Sequence, residues 1–281
     1  MKPKTIAEQL LFSTVRIETE KPEGVEAGTA FIFAFTEENT QYLFLVTNKH
    51  VIRNSTIGRF FFTLGDGDNP KIGERFDIQI EAFSIRWCGH PDLDVDVTIM
   101  PLVPVLKAIE QQGHKAYFRS IPHDLIPTDE QLAQLDVLEE LVFVGYPSGI
   151  YDSKNLMPIL RRGTTATPPQ LDYEGRPVFL VDASVFPGSS GSPVFVYNHG
   201  SYATREGVTM GSRIFLLGII AEVVVRKEMG KLEIVHIPAT QISIVTTQQM
   251  IDPGIVYKSK TIMETVRLAI DKWKKDKHVI S

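Results

Sequence analysis

Phe186-Pro187-Gly188-Ser189-Ser190-Gly191-Ser192-Pro193-Val194-Phe195 is the stretch on which the fold turns. Two glycines bracket a pair of serines, and the segment runs directly into an apolar strand. Glycine adopts backbone conformations that other residues resist, so the chain can turn sharply and present one hydroxyl at the strand mouth. Such a turn also aims backbone N–H groups at charge developing beside that hydroxyl, and the amides of Gly188 and Ser190 are the natural donors. Taken alone, the same residues also read as a Gly/Ser/Pro hairpin loop.

Outward from this segment, short apolar runs alternate with turn signals, the pattern of a barrel or sandwich. One cluster of about six strands is predicted at 14–18, 30–35, 42–47, 60–64, 76–83 and 97–102. A second cluster is predicted at 141–145, 159–165, 178–182, 193–196, 214–225 and 232–237. Between them, 105–112 and 129–135 are polar and helix-permissive, flanked by Pro101, Pro104, Pro122 and Pro127. A boundary near residue 120 is therefore expected, giving units 1–120 and 121–281. In 261–277, Ile262, Val266, Ala269, Ile270 and Trp273 are spaced for one helical face. Because Glu264, Asp271 and Asp276 dilute the lysines of that segment, docking on the parent fold is expected over a membrane-surface role.

Composition narrows the classes. The 281 residues carry 29 Lys plus Arg against 34 Asp plus Glu, a net charge of −5, so nucleic acid is an unexpected partner. A single cysteine, Cys88, excludes an intrachain disulfide, and packing alone must hold the core. Glu8, Gln9 and Arg16 interrupt the first apolar stretch before a signal core forms, and 214–225 is too short for a span. A cytoplasmic protein with no membrane contact is the expectation.

Two further segments carry chemical potential. In Leu45-Val46-Thr47-Asn48-Lys49-His50-Val51-Ile52 a histidine follows an apolar strand, where a general base would be held rigidly and partly shielded from water. In Asp92-Leu93-Asp94-Val95-Asp96-Val97-Thr98-Ile99-Met100 acids alternate into a strand. A carboxylate that orients an imidazole must be largely buried, which favours Asp96, the one nearest the apolar run, with Asp94 as its rival. A core histidine and solvated edge acids are the plainer readings of each segment alone.

Occurring together in the order His50, Asp96, Ser190, the three segments resemble the trypsin/chymotrypsin-like serine peptidases. The likeness is nearest to their disulfide-free bacterial branch, which includes the HtrA-type proteases. Asp182 to Pro193 looks like the nucleophile motif of that branch, and TNKHV and DVTIM look like its histidine and aspartate motifs. Val142-Phe143-Val144-Gly145-Tyr146-Pro147 is similar to the opening of its second barrel. The resemblance spans about residues 12–245 and implies two six-stranded antiparallel β-barrels. It implies Ser190 as nucleophile, His50 as general acid and base, Asp96 as the residue fixing the imidazole tautomer, and an oxyanion hole at Gly188 and Ser190. It places a substrate pocket at Ser184, Val185, Ala221, Glu222 and Val223, and protein or peptide substrates follow.

Departures from the family pattern matter as much. Ser192 stands where the family has a second glycine, a small substitution that should be tolerated at the expense of some crowding in the turn. Ser189 stands where self-activating members carry an acid that captures a newly cut N-terminus, so that switch is not expected. The tail after the second barrel is short, so the PDZ module of HtrA-type enzymes is not expected here. Gly65-Asp66-Gly67-Asp68-Asn69 lacks the Glu of a calcium loop and reads as a hairpin turn. The histidines lack ligand spacing, so no metal or other cofactor is expected, and Cys88 reads as a structural thiol. The expected function is serine endopeptidase. The competing reading is a protease-fold binding or scaffold module whose triad is inactive or gated by a regulatory protein partner.

Overall fold

The computed structural model describes residues 2–147, 151–186, 188–204, 207–231 and 244–275, with side chains described except within 222–231 and 244–252. The first half comprises α1 (Ile6–Leu10), β1 (Thr14–Lys21), β2 (Gly24–Glu37), β3 (Thr40–Thr47), α2 (Lys49–Ile52), β4 (Ile57–Asp66), β5 (Asn69–Glu81), β6 (Cys88–Gly89), β7 (Thr98–Pro101), α3 (Val103–Gln111) and β8 (Ile121–Pro122). The second comprises α4 (Asp129–Ala133), β9 (Glu140–Gly145), β10 (Ile159–Thr165), β11 (Val178–Asp182), β12 (Pro193–Asn198), β13 (Ser201–Thr204), β14 (Gly207–Met210), β15 (Arg213–Lys231), β16 (Ile244–Lys258) and α5 (Ser259–Lys275). The strand expected at 232–237 lies outside the described residues. Among the described residues no helix is long and apolar enough to cross a membrane.

The C-terminal strands close into the expected six-stranded barrel, in the order β10-β11-β16-β15-β12-β9. The N-terminal strands differ from the expected six. They form an eight-stranded sheet in the order β5-β4-β1-β2-β3-β7-β6, with β8 added in parallel to β2, and a second barrel is only partly evident. The extra members, β6 and β8, are two residues each, too short to leave a periodic signal. The hairpin expected at 65–69 is present, with Asp66 opposite Asn69 and Gly67 at φ 56°.

Strand alternation explains why β2 is buried on both faces. Ala30 and Ile32 join Val15, Ile17, Leu45, Phe60 and Phe62 inside the N-terminal sheet. Phe31, Phe33 and Phe35 point the other way, into a seam shared with Phe44, Val144, Phe195, Leu216 and Tyr257 from both strand sets. Phe143, Phe179, Val181, Val194, Val196 and Leu217 fill the barrel itself.

Helix α5 closes the seam. Ile262, Val266, Ala269 and Ile270 are buried in it, and Trp273 stacks on Phe44 at 5.9 Å. Each fully buried aliphatic side chain contributes about 1.5–3 kcal/mol, which far exceeds what the exposed lysines of the helix could gain at a surface. Docking on the parent fold is thus the outcome. The helix also reaches the acidic loop after β6, where the His90 Nε2 atom lies 3.0 Å from Glu264 Oε2, and His90 Nδ1 accepts the Asp92 amide at 3.1 Å. Cys88 is half-buried on β6, and burial pushes its thiol pKa up, which disfavours the reactive thiolate.

Candidate active site

His50 does not sit on the strand end itself but one short turn beyond it, on α2. The turn is anchored because Val51 and Ile52 are buried in the N-terminal core, and Thr19 Oγ1 donates to the Val51 carbonyl at 3.3 Å. Lys21 Nζ donates to the His50 carbonyl at 3.0 Å. Asn48, fully buried, donates through Nδ2 to the Asp96 carbonyl at 2.7 Å and so ties the histidine turn to the acidic loop.

Asp96 grips His50 at two points. Its Oδ2 lies 2.5 Å from His50 Nδ1, and its Oδ1 accepts the His50 backbone N–H at 3.0 Å. An ionised carboxylate only accepts, so the proton on this contact belongs to Nδ1, and Nε2 is left as the basic nitrogen. The Asp96 side chain is 14% exposed and that of His50 is 41%, which leaves the acid sheltered and the imidazole reachable. Asp94 is exposed, and no hydrogen bond among the described residues joins its carboxylate to His50; its amide donates to Asp92 Oδ1 at 2.9 Å, and its carbonyl accepts the Tyr257 hydroxyl at 2.7 Å. Beside this pair opens a cleft of about 590 Å³, lined by His50, Arg53, Leu93, Asp94, Asp96, Arg176 and Tyr257.

The serine turn is built by contacts from across the seam. Thr29 on β2 donates its amide to the Ser190 carbonyl at 3.0 Å and its hydroxyl to the Gly188 carbonyl at 3.1 Å. Its carbonyl accepts Thr47 Oγ1 at 2.6 Å. Gly191 holds φ at 89°, and a Cβ there would stand 1.7 Å from the Thr29 carbonyl oxygen, so this glycine is required twice over. The amides of Gly188 and Ser190 meet no acceptor among the described residues, as a site for an incoming oxyanion requires. Ser192 is fully buried, and the crowding expected of it is relieved by Gly145, where a Cβ would come within 2.0 Å of Ser192 Oγ.

His50 and Asp96 are brought together, whereas the Ser190 hydroxyl is turned aside. Its Oγ donates to the Ala221 carbonyl at 2.9 Å, and among the described residues no hydrogen bond joins it to His50. Of the expected pocket residues, Ser184 is exposed, Val185 is packed into the barrel core, and Ala221 is buried in the seam. None of the three lines the cleft beside His50. The side chains of Glu222 and Val223 lie outside the described ones.

Sequence reading missed Thr29, whose bonds to the serine turn cross 159 residues of chain and leave no local signal. It also missed Arg161, although an arginine in mid-strand was a cue. Arg161 Nη2 donates to Ser189 Oγ at 2.7 Å and Nη1 to the Ser184 carbonyl at 2.9 Å. Burial lowers its pKa to about 10, so it remains charged at neutral pH.

Residues 28–201, which hold His50, Asp96 and Ser190, match the trypsin-like peptidase domain, and the chain belongs to that family. No curated protein matches the chain. Among solved structures it is similar to an HtrA-type protease, AlgW, with a tripeptide, at 14% identity and a TM-score of 0.48, covering 93% of this chain and 61% of that one. The chain thus spans about three fifths of that protein's length. It is also similar to a serine endoprotease from Yersinia pestis, at 13% identity and a TM-score of 0.44, covering 94% of this chain and 68% of that one. A thermostable serine protease, AL20, from an extremophilic microorganism shares 12% identity at a TM-score of 0.45, covering 91% of this chain and 95% of that one.

Proposed function

We propose that this chain is a serine endopeptidase that hydrolyses peptide bonds in protein or peptide substrates through an acyl-enzyme on Ser190. The observation that carries the reading is the two-point contact of Asp96 with His50, which leaves Nε2 as the free basic nitrogen of a histidine that lines an open cleft. In this mechanism Ser190 Oγ attacks the scissile carbonyl while its proton passes to His50 Nε2, and the tetrahedral oxyanion is received by the Gly188 and Ser190 amides. The imidazolium, held by Asp96, then protonates the leaving amine as the C–N bond breaks. Water deprotonated by His50 attacks the ester, and collapse of the second intermediate returns the proton to Ser190. The same reading divides the chain near residue 120, with His50 and Asp96 on the first unit and Ser190 on the second.

The bond from Ser190 to Ala221 favours a second reading, in which the triad is assembled only when a substrate or protein partner turns the hydroxyl towards His50. A fluorophosphonate probe on the purified chain separates the two. Stoichiometric labelling at Ser190 in the isolated protein supports a competent peptidase. Labelling that needs an added partner supports gating, and no labelling under any condition leaves a protease-fold binding module.

A further inference from the structure

Ser189 is completely buried, directly between the two residues whose amides form the candidate oxyanion site. Its amide donates to the Phe186 carbonyl at 3.0 Å, and its carbonyl accepts the Ser192 amide at 3.0 Å. Its hydroxyl oxygen accepts two donors from behind the loop: the Phe186 amide at 3.2 Å and Arg161 Nη2 at 2.7 Å. The other arm of the same guanidinium holds the Ser184 carbonyl at 2.9 Å. One rigid, planar fork therefore ties residue 184 to residue 189 and fixes the span between them. The fork is itself held in place. Arg161 lies directly opposite Phe143 in the β9–β10 ladder, and its guanidinium sits 4.5 Å from the Phe143 ring centroid. Among the described residues no carboxylate pairs with Arg161, so a part-buried charge is held here by bonds to the nucleophile loop and by contact with a ring.

We propose that Arg161 is a positioning residue for catalysis, which sets the Gly188 and Ser190 amides in the geometry of the oxyanion site by anchoring Ser189 and the Ser184 carbonyl. The proposal rests on the peptidase reading above. It makes the loop's order a built-in property of β10, with no carboxylate at position 189 and no newly formed terminus involved. A displacement of about 1 Å in such donors costs on the order of a hundredfold in rate.

The test compares Arg161→Met, Arg161→Lys, Ser189→Ala and Ser189→Asp in the full chain, with fluorophosphonate labelling rate at Ser190 as the first readout. The phosphonyl oxygen occupies the oxyanion site, so the rate reports on the amides. Arg161→Met is expected to slow labelling about a hundredfold, and Arg161→Lys, which keeps the charge and one donor, to recover about tenfold of that. Ser189→Asp, whose carboxylate pairs with the guanidinium, is expected to label faster than Ser189→Ala, and that order should reverse when Arg161 is also Met. With any peptide the wild type cleaves, the loss should fall on kcat with KM near its original value. A role confined to stability would lower Tm and leave the rate of the folded fraction unchanged, and that result overturns the proposal. Should Arg161→Met not fold, the order of the two Ser189 variants decides, and Ser189→Asp no faster than Ser189→Ala counts against it. If the wild type labels while all four variants match it, the peptidase reading stands and this inference falls. If the wild type itself never labels, the peptidase reading fails first and takes the inference with it.

Discussion

The Ser190 hydroxyl and the Ala221 carbonyl are joined at 2.9 Å, and this bond occupies the hydroxyl proton that His50 would take. Ala221 lies where the β15–β16 register shifts between Ile220 and Glu222. A hydroxyl that exchanges one neutral hydrogen bond for another gains or loses about 1 kcal/mol, so the serine is readily released when a substrate enters. Ser190→Ala should therefore abolish peptide hydrolysis while shifting stability by no more than about 1 kcal/mol. Residual activity above a tenth of wild type, with an unchanged melting curve, would show that another residue is the nucleophile.

Asp96→Asn should lower kcat by roughly 10⁴, because an amide at this position can donate to Nδ1 and stabilise the wrong imidazole tautomer. Asp94→Asn should cost less than tenfold, since that side chain is exposed and its carbonyl, not its carboxylate, holds Tyr257. Steady-state kinetics on the pair checks the assignment, and the reverse order would give the role to Asp94.

Gly191→Ala should destabilise the protein by about 3 kcal/mol or more, because the left-handed φ and the collision with Thr29 add together. Urea unfolding monitored by Trp fluorescence gives the number. A loss under about 1 kcal/mol would mean that β2 and the serine turn separate more easily than their bonds imply.

Cleavage after Lys or Arg should be poor. Ser184 offers no carboxylate, and the Arg161 guanidinium lies 2.9 Å from its carbonyl, so a second cation brought to that point is repelled and poorly solvated. Small or medium apolar residues such as Ala, Val, Leu or Met should be preferred over large aromatic ones by about 1–3 kcal/mol. A peptide-library digest read by mass spectrometry settles the preference, and dominant cuts after basic residues would contradict it.

Asp172 accepts Lys258 Nζ at 2.6 Å, and that hydrogen bond holds its carboxyl pKa below the ordinary value. The Lys258 pKa is also lowered, because burial of the ammonium outweighs the partner's attraction. A carboxyl whose folded pKa is depressed stabilises the fold above its unfolded pKa of about 3.9, and the contribution is lost as pH falls through the folded value. Asp172→Asn should cost about 1 kcal/mol at pH 7, the small figure reflecting a carboxylate 40% exposed, and the difference from wild type should vanish near pH 2. Paired denaturation curves at the two pH values check both halves.

Part of the fold could be read from strand alternation, because Thr14 to Lys21 and Ile57 to Asp66 alternate buried with half-buried positions along a sheet. His50, Asp96 and Ser190 were legible because each adjoins an apolar strand. What was not legible is what acts across the chain. The seam that buries the second face of β2, the grip of Thr29 on Gly188 and the fork of Arg161 all join residues far apart in sequence. The two-residue strands β6 and β8 escaped for the opposite reason, being too short for any period to appear.

The contact between His90 and Glu264 gives the C-terminal helix a stake in the site's acid. His90 stands just ahead of the Asp92 to Asp96 loop, and its ring holds the helix on one side and the Asp92 amide on the other. Hydrogen exchange is expected to show the amides of helix and loop opening together and not as separate surface segments. Val95 and Val97, on either side of Asp96, share the seam with Ile262 and Val266, so the backing of the segment that carries the acid comes in part from α5.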